Sequence, residues 1–244
     1  MPPSLPQPLD PIRAGAIGDA LKASLDRIQR ACDKAGRPHG AVQLLLATKT
    51  QPAAAIRAAI QAGGTLIGEN RVQELVAKGP ELADLPHQAH MIGPLQSNKI
   101  PAALRWADCI QTVAGLALAA KLSHRSAERP TPLEVMVQVN TSGEATKSGV
   151  EPGQAPDLAA QVAALPGLRL VGFMTIGLNS ADATAVGLSF ARLREVRDAV
   201  LAAGDPATAG ATHLSMGMSG DLEIAIAEGA TMVRLGTAIF GPRG

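Results

Sequence analysis

Apolar runs and amphipathic segments alternate along this chain of 244 residues. A short, continuous apolar run is typical of a strand covered on both faces, whereas apolar residues three or four positions apart predict a helix with one buried face. The runs predict strands at 43–49, 65–68, 88–92, 109–113, 133–139, 168–174, 212–215 and 231–235. The helical spacing predicts helices at 12–35, 53–61, 72–78, from about residue 100, and at 116–124, 155–165, 185–203 and 222–228.

Strict alternation of strands and helices predicts parallel strands that are joined by crossover helices. Eight such units in fewer than about 250 residues fit a single (β/α)8 TIM barrel, so the predicted fold class is α/β. The barrel domain is expected to cover 12–244, and its extra N-terminal helix would cap the barrel or flank it. A doubly wound open sheet is the alternative, but no GxGxxG sequence follows a predicted strand.

The chain shows no signal for export, membrane insertion or metal binding. Residues 1–11 are proline-rich and lack the basic and apolar regions of a signal peptide, which predicts a short disordered tail. No apolar run has the length of a membrane span. Cys32 and Cys109 have no CxxC or Cys/His ligand spacing, and the five histidines form no HExxH motif. We therefore predict a cytoplasmic protein without a membrane partner or a metal.

Composition also argues against nucleic acid as a partner. The net charge is +1, and the chain has three Phe, one Trp and no Tyr. A basic surface and aromatic platforms for stacking bases are therefore not expected. The lack of tyrosine also removes that residue as a catalytic acid or base.

Lys49 ends the first predicted strand, and Pro52, just beyond it, suits the first turn of a helix. In a barrel of parallel strands, the loops that follow the strands carry the chemistry. A neutral lysine amine can attack a carbonyl carbon and form a Schiff base. The alternative is a structural lysine with a buried stem and a solvated ammonium group.

The loops after the seventh and eighth predicted strands suit an anion. Residues 215–221 read Ser-Met-Gly-Met-Ser-Gly-Asp, and Gly236 and Thr237 follow the eighth strand. Glycines let the backbone approach a ligand, N–H groups at a helix start point outward, and the hydroxyls of Ser215, Ser219 and Thr237 add donors. Because these two loops often bind phosphate in TIM barrels, we predict a phosphate site here. Ordinary helix capping by Ser219 is the alternative.

Arg234 lies inside the eighth predicted strand, where an unpaired charge would be very unfavourable. One interpretation is a salt bridge to a barrel carboxylate such as Glu69. The other is donation to an acceptor on a bound ring. A ring nitrogen that faces a permanent cation stays unprotonated, which weakens a pyridine ring as an electron sink. A lysine, a phosphate site and this arginine together fit pyridoxal 5′-phosphate, an aldehyde cofactor that bears a phosphate.

Seven stretches resemble the pyridoxal phosphate homeostasis protein family, single-domain relatives of the alanine racemase N-terminal barrel. They run from about residue 43 to the end of the chain and are ATKTQP at 47–52, GENRVQE at 68–74, HMIGPLQSNK at 90–99, KSG at 147–149, GFMTI at 172–176, LSMGMS at 214–219 and VRLGTAIFG at 233–241. The N-terminal tail and the loop at 204–210 are not covered. Gly220 stands where the family more usually has an acidic residue.

The resemblance implies a TIM barrel in which Lys49 holds pyridoxal 5′-phosphate as a Schiff base. It implies that Arg234 faces the pyridine nitrogen and that Asn70 approaches the ring. It also implies that the phosphate is held by a set of small residues, which are Ser215, Ser219, Gly236 and Thr237. Members of the family are thought to carry and buffer the cofactor, so the implied role is in vitamin B6 homeostasis. We expect a monomer, and apo forms of pyridoxal phosphate enzymes are the candidate recipients of the cofactor.

A catalytic role is the alternative, most plausibly as a pyridoxal phosphate-dependent amino-acid racemase. Racemisation by two bases needs an acid–base group on each face of the substrate carbon. Lys49 can supply one, but in alanine racemases a tyrosine supplies the other, and this chain has no tyrosine. We therefore expect a binding protein without catalytic residues. A barrel that forms a Schiff base with a phosphorylated sugar would leave Arg234 unexplained.

Overall fold

The computed structural model describes residues 9–144 and 147–241. Residues 1–8 of the predicted tail, and the last three residues of the predicted domain, lie outside the described residues. The first helix begins at Pro11, where the Asp10 side chain accepts a hydrogen bond from the Ile12 amide and so caps the helix. Regular structure therefore begins at Pro11, the last residue of the predicted tail.

In the described part of the chain, eight parallel strands close into a barrel in sequence order, with the last strand paired to the first. This confirms the predicted (β/α)8 TIM barrel. The strands are β1 (Gln43–Ala47), β2 (Leu66–Glu69), β3 (Gln88–Met91), β4 (Cys109–Val113), β5 (Leu133–Gln138), β6 (Leu168–Met174), β7 (His213–Ser215) and β8 (Met232–Leu235). Their pairing brings Leu45 beside Arg234 and Leu46 beside Leu235, so residues from both halves of the chain meet at one seam.

Helices surround the barrel. They are α1 (Pro11–Lys34), α2 (Ala53–Gln61), α3 (Val72–Leu82), α4 (Ile100–Ala103), α5 (Leu116–Ser126), α6 (Ala155–Ala163), α7 (Ala183–Ala202), α8 (Leu222–Ala227) and α9 (Thr237–Phe240). The extra helix α1 buries Ile17, Leu21 and Ile28 and packs against α2, α8 and α9. It therefore flanks the barrel beside the seam between β1 and β8.

Two apolar clusters stabilise the fold. The larger lies between the sheet and the helices, and the smaller lies inside the barrel, where alternate strand residues point; its buried members are Leu45, Leu66, Cys109, Met136, Val171, Met174 and Met232. Polar side chains share the interior. The amide of Gln111 contacts His90 Nδ1 at 2.7 Å and accepts a hydrogen bond from the Ser215 hydroxyl at 2.7 Å.

Helix α3 corrects one prediction. The sequence indicated an end at Lys78, before Gly79 and Pro80, but the helix continues to Leu82. Tertiary packing outweighs the weak local preference of these two residues, because the Trp106 ring lies directly against Gly79. A Cβ atom at Gly79 would lie 2.2 Å from that ring.

Among the described residues, no helix combines the length and hydrophobicity that a membrane crossing requires. Cys32 and Cys109 are both free thiols and both buried.

Candidate functional site

A cavity of about 410 Å³ opens at the carboxyl ends of the strands. This is the end of a parallel barrel at which binding sites form. Its walls come from the ends of β1, β6 and β8 and from the segments that follow β1, β2, β3, β6, β7 and β8. The lining residues are Ala47, Lys49, Thr50, Gln51, Asn70, Ile92, Met174, Ile176, Met218, Ser219, Gly220, Arg234, Gly236, Thr237 and Gly241. Six of the seven residues predicted from the sequence therefore share one cavity; the exception is Ser215.

Lys49 follows β1 and is half-buried in the cavity wall. Among the described residues, its amine has no hydrogen-bond partner, which leaves the nitrogen available to a ligand. The next residue, Thr50, has a φ of 64°, a left-handed conformation that is uncommon outside glycine. The chain therefore turns sharply just after the lysine.

A buried polar cluster lies behind this turn, and sequence reasoning missed it. Glu69, at the end of β2, is paired with Lys78 of α3. Burial raises the pKa of the Glu69 carboxyl, although hydrogen bonds from Lys78 and Thr48 oppose the shift. At Glu74, burial acts in the same direction but is outweighed by hydrogen bonds from Lys78 and the Thr50 amide, so that its pKa is lowered.

Arg234 is buried at the floor of the cavity. Its guanidinium group donates to the carbonyl oxygens of Ser215 and Thr175, each at 2.8 Å, and to the Ser215 hydroxyl at 3.0 Å. The suggested salt bridge to Glu69 is wrong: among the described residues Arg234 bonds only to these neutral acceptors, and Glu69 is paired with Lys78 instead. Burial lowers the pKa of Arg234 to about 10, an effect that the Asp221 charge opposes. The group therefore remains a cation at neutral pH, held by neutral acceptors.

The loops after β7 and β8 present unused donors. Among the described residues, the amides of Ser219, Gly220, Thr237 and Ala238 have no hydrogen-bond partner. Such amides, together with the hydroxyls of Ser219 and Thr237, suit an anion. The helices that follow, α8 and α9, have six and four residues, so individual N–H groups matter more here than a helix dipole. The residue before α8 is Asp221 rather than Ser219, so the capping alternative for Ser219 is wrong.

Ser215 does not reach the cavity wall. It is fully buried at the end of β7, where its hydroxyl donates to Gln111 and accepts from Arg234. The hydroxyl proton and one of its two lone pairs are therefore used inside the barrel. In this structure Ser215 holds Arg234, and the donors that face the cavity belong to the loop beyond it.

One cluster of potential metal ligands lies deeper in the barrel. Ligand atoms of His90, Cys109 and Glu134 lie within 4.8 Å of one another. Glu134 is already paired with Arg169, and burial raises the pKa of the Cys109 thiol well above its usual value. The forms that would bind a metal cation, a thiolate at Cys109 and an unpaired carboxylate at Glu134, are thus both disfavoured.

The cavity therefore combines one free amine, one buried cation and a set of anion donors between apolar side chains. An amine of this kind condenses with an aldehyde, and the donor set suits a phosphate. Apolar walls from Ile92, Met174 and Ile176 suit a flat ring. The arrangement fits a small aromatic aldehyde that bears a phosphate.

Known proteins share this chain's sequence over most of its length. A family model described as "Alanine racemase, N-terminal domain" matches residues 18–244. A relative from Pseudomonas aeruginosa named "Pyridoxal phosphate homeostasis protein" is 47% identical over 228 residues, which cover 93% of this chain and 96% of the relative.

Solved structures show the same fold. PipY of Synechococcus elongatus, with PLP bound, is 35% identical and superposes with a TM-score of 0.76 over 88% of this chain and 99% of PipY. Alanine racemase from Corynebacterium glutamicum is 15% identical, with a TM-score of 0.68 over 94% of this chain and 61% of the racemase. The racemase therefore shares the barrel fold and has a further portion that this chain does not match.

Proposed function

Because this chain belongs to the alanine racemase N-terminal domain family and to the pyridoxal phosphate homeostasis protein family, we propose that it binds pyridoxal 5′-phosphate and acts in vitamin B6 homeostasis. The cofactor is held as a Schiff base on Lys49, without catalytic turnover. The observation that carries this proposal is that Lys49, Arg234 and the two donor loops line a single cavity. The P. aeruginosa relative and the PLP-bound PipY support the choice of ligand.

Each predicted residue has a role in the proposal. The Lys49 nitrogen attacks the aldehyde carbon, a C=N bond forms, and the aldehyde oxygen leaves as water with the two amine protons. Ser219, Gly236 and Thr237 hold the phosphate together with the free amides of their loops. Asn70 lies beside the ring. Ser215 acts through Arg234, because its hydroxyl binds that side chain.

Arg234 supports a binding role over a catalytic one. Its guanidinium group would face the pyridine nitrogen and, as a cation at neutral pH, would not give that nitrogen a proton. An unprotonated pyridine ring is a weaker electron sink, which disfavours the pyridoxal phosphate reactions that need a strongly delocalised carbanion.

The racemase alternative rests on the fold shared with alanine racemases. The composition argues against it, since the chain has no tyrosine to act as a second base.

The proposal also covers the protein's state, location and partners. The protein acts as a monomer in the cytoplasm, and it supplies the cofactor to apo forms of pyridoxal phosphate enzymes. Two buried free thiols agree with a reducing compartment.

An absorbance titration tests the proposal. Purified protein mixed with pyridoxal 5′-phosphate should gain the visible band of a protonated Schiff base, and borohydride reduction followed by peptide mapping should place the label on Lys49. Lys49→Ala should lack both the band and the label, whereas Lys121→Ala, which changes an exposed lysine on α5, should retain them. A protein that takes up no cofactor, or a label on another lysine, would contradict the proposal.

A further inference from the structure

A second lysine, Lys78, lies directly behind the turn that carries Lys49. Its side chain is 12% exposed. Its ammonium group donates to the Thr48 carbonyl at 2.9 Å, to Glu69 Oε1 at 2.7 Å and to Glu74 Oε2 at 2.8 Å. These three bonds use all three N–H donors of the ammonium group. Lys78 is therefore a structural cation, in contrast to the free amine of Lys49.

The two carboxylates that bind Lys78 also hold both chain neighbours of Lys49. Glu69 Oε1 accepts a hydrogen bond from the Thr48 hydroxyl at 2.6 Å, before the lysine. Glu74 Oε2 accepts one from the Thr50 amide at 2.7 Å, after it. Lys78 binds the Thr48 carbonyl as well, so the peptide on each side of Lys49 is fixed to one ion cluster.

The conformation of this segment needs such support. Thr50 is the only described residue other than glycine with a positive φ, and its β-branched side chain makes that conformation unfavourable. A strained residue persists where its surroundings hold it in place. Here the amide of the strained residue is itself the group that Glu74 binds.

We infer that Glu69, Glu74 and Lys78 are positioning residues, which fix the turn at 48–50 so that the Lys49 amine points at the carbonyl carbon of a bound aldehyde. This inference rests on the proposed function and adds the residues that direct the reactive amine. None of the three lines the cavity, so they act through the backbone of the turn. They should affect formation of the C=N bond and leave the phosphate and ring contacts unchanged.

Two ligands separate these effects. Pyridoxal 5′-phosphate can form the bond to Lys49, whereas pyridoxine 5′-phosphate has an alcohol in place of the aldehyde and can bind only through its ring and phosphate. Lys78→Met keeps the unbranched chain up to the ε position but removes the ammonium group with its three donors. We expect its affinity for pyridoxal 5′-phosphate, and its rate of Schiff base formation, to fall about tenfold, the effect of losing a hydrogen bond to a charged group. Binding of pyridoxine 5′-phosphate, measured by calorimetry, should be unchanged.

Glu74→Ala provides a second variant if Lys78→Met does not fold. Glu74 lies in the first turn of α3 and is partly exposed, and alanine is well tolerated in a helix. It should show the same selective loss with the aldehyde ligand. Glu134→Gln is the matched control, since it changes a carboxylate on β5 that is paired with Arg169 on β6, away from the cavity. Its binding of both ligands should equal that of the unsubstituted protein.

The outcomes distinguish the two proposals. If the unsubstituted protein forms no Schiff base, the proposed function and the positioning role both fail. If it forms one and neither variant changes its rate or affinity, the positioning role alone is refuted. An equal loss of affinity for both ligands would also refute the positioning role, because a general distortion of the site would then be the cause.

Discussion

At the scale of single residues, two serines with similar sequence contexts have different environments. Ser215 is fully buried, and its hydroxyl is bonded to Gln111 and Arg234. Ser219 is half-buried, lines the cavity and has an amide without a partner among the described residues. The sequence predicted both as phosphate donors, because a loop of small residues does not show where each hydroxyl points.

The first prediction compares these serines. Ser215→Ala should destabilise the protein by about 1–2 kcal/mol, since it removes one partner from each of two buried hydrogen bonds. Ser219→Ala should leave the free energy of unfolding nearly unchanged and weaken phosphate-dependent binding several-fold. Urea denaturation and calorimetry with pyridoxine 5′-phosphate measure the two effects. A loss of affinity without a loss of stability for Ser215→Ala would place its hydroxyl at the ligand instead.

The second prediction concerns His90, which is buried in the barrel interior. Burial and the nearby charge of His213 lower its pKa from 6.5 to about 4. Its Nε2 atom has no partner among the described residues, and Cys109 and Glu134 are further titratable groups close to it. Between these two pH values the unfolded chain binds a proton that the folded chain does not. Stability should therefore fall as the pH decreases from about 6.5 to about 4, by roughly 3 kcal/mol from this group.

Urea denaturation at several pH values between 7 and 4 would test this. His90→Gln should flatten the pH dependence over that interval, whereas His124→Gln, at an exposed position on α5, should not. An unchanged pH profile in His90→Gln would show that other groups cause the acid sensitivity.

At the scale of elements, α3 supplies residues to the cluster behind Lys49 and also continues past two helix-breaking residues. Its continuation places Gly79 against Trp106 and buries Leu82. The same helix carries Glu74 and Lys78, so the packing of α3 sets the position of the ion cluster.

The third prediction tests this packing. Gly79→Ala should destabilise the protein by about 1–3 kcal/mol despite the higher helix propensity of alanine, because the new Cβ would meet the Trp106 ring at 2.2 Å. Gly15→Ala in α1 is the control, since its Cβ would have no atom within 4 Å. It should stabilise by up to about 1 kcal/mol. Thermal unfolding would show opposite signs for the two variants, and equal signs would contradict the packing argument.

The strands were predictable because each is a short apolar run with a clear boundary, and only their ends moved by a residue or two. Lys49, Ser219 and Thr237 could be placed at the cavity because they lie at the end of such runs or in the short loops that follow them. Lys78 could not, since a charged residue on a helix resembles any solvated position. Its role depends on Thr48, Glu69 and Glu74, which come from other segments and meet only in three dimensions.

At the scale of the whole molecule, the site is built from the two sides of the seam that closes the barrel. Lys49 follows β1, and Gly236 and Thr237 follow β8, which pairs with β1. The amine and the anion donors therefore come together only when the barrel is closed. Cofactor uptake should thus report on the complete fold and not on either half of the chain.

The last prediction separates a binding protein from a racemase. Among the described residues that line the cavity, Lys49 is the only side chain that could supply a catalytic base, since the wall contains no carboxylate, imidazole, thiol or phenol. Two-base racemisation needs a second such group on the opposite face of the substrate carbon. Protein loaded with pyridoxal 5′-phosphate and incubated with L-alanine should therefore form D-alanine no faster than the free cofactor does. Turnover that exceeds this background and disappears in Lys49→Ala would overturn the binding role, because the second base would then have to come from outside the described cavity wall.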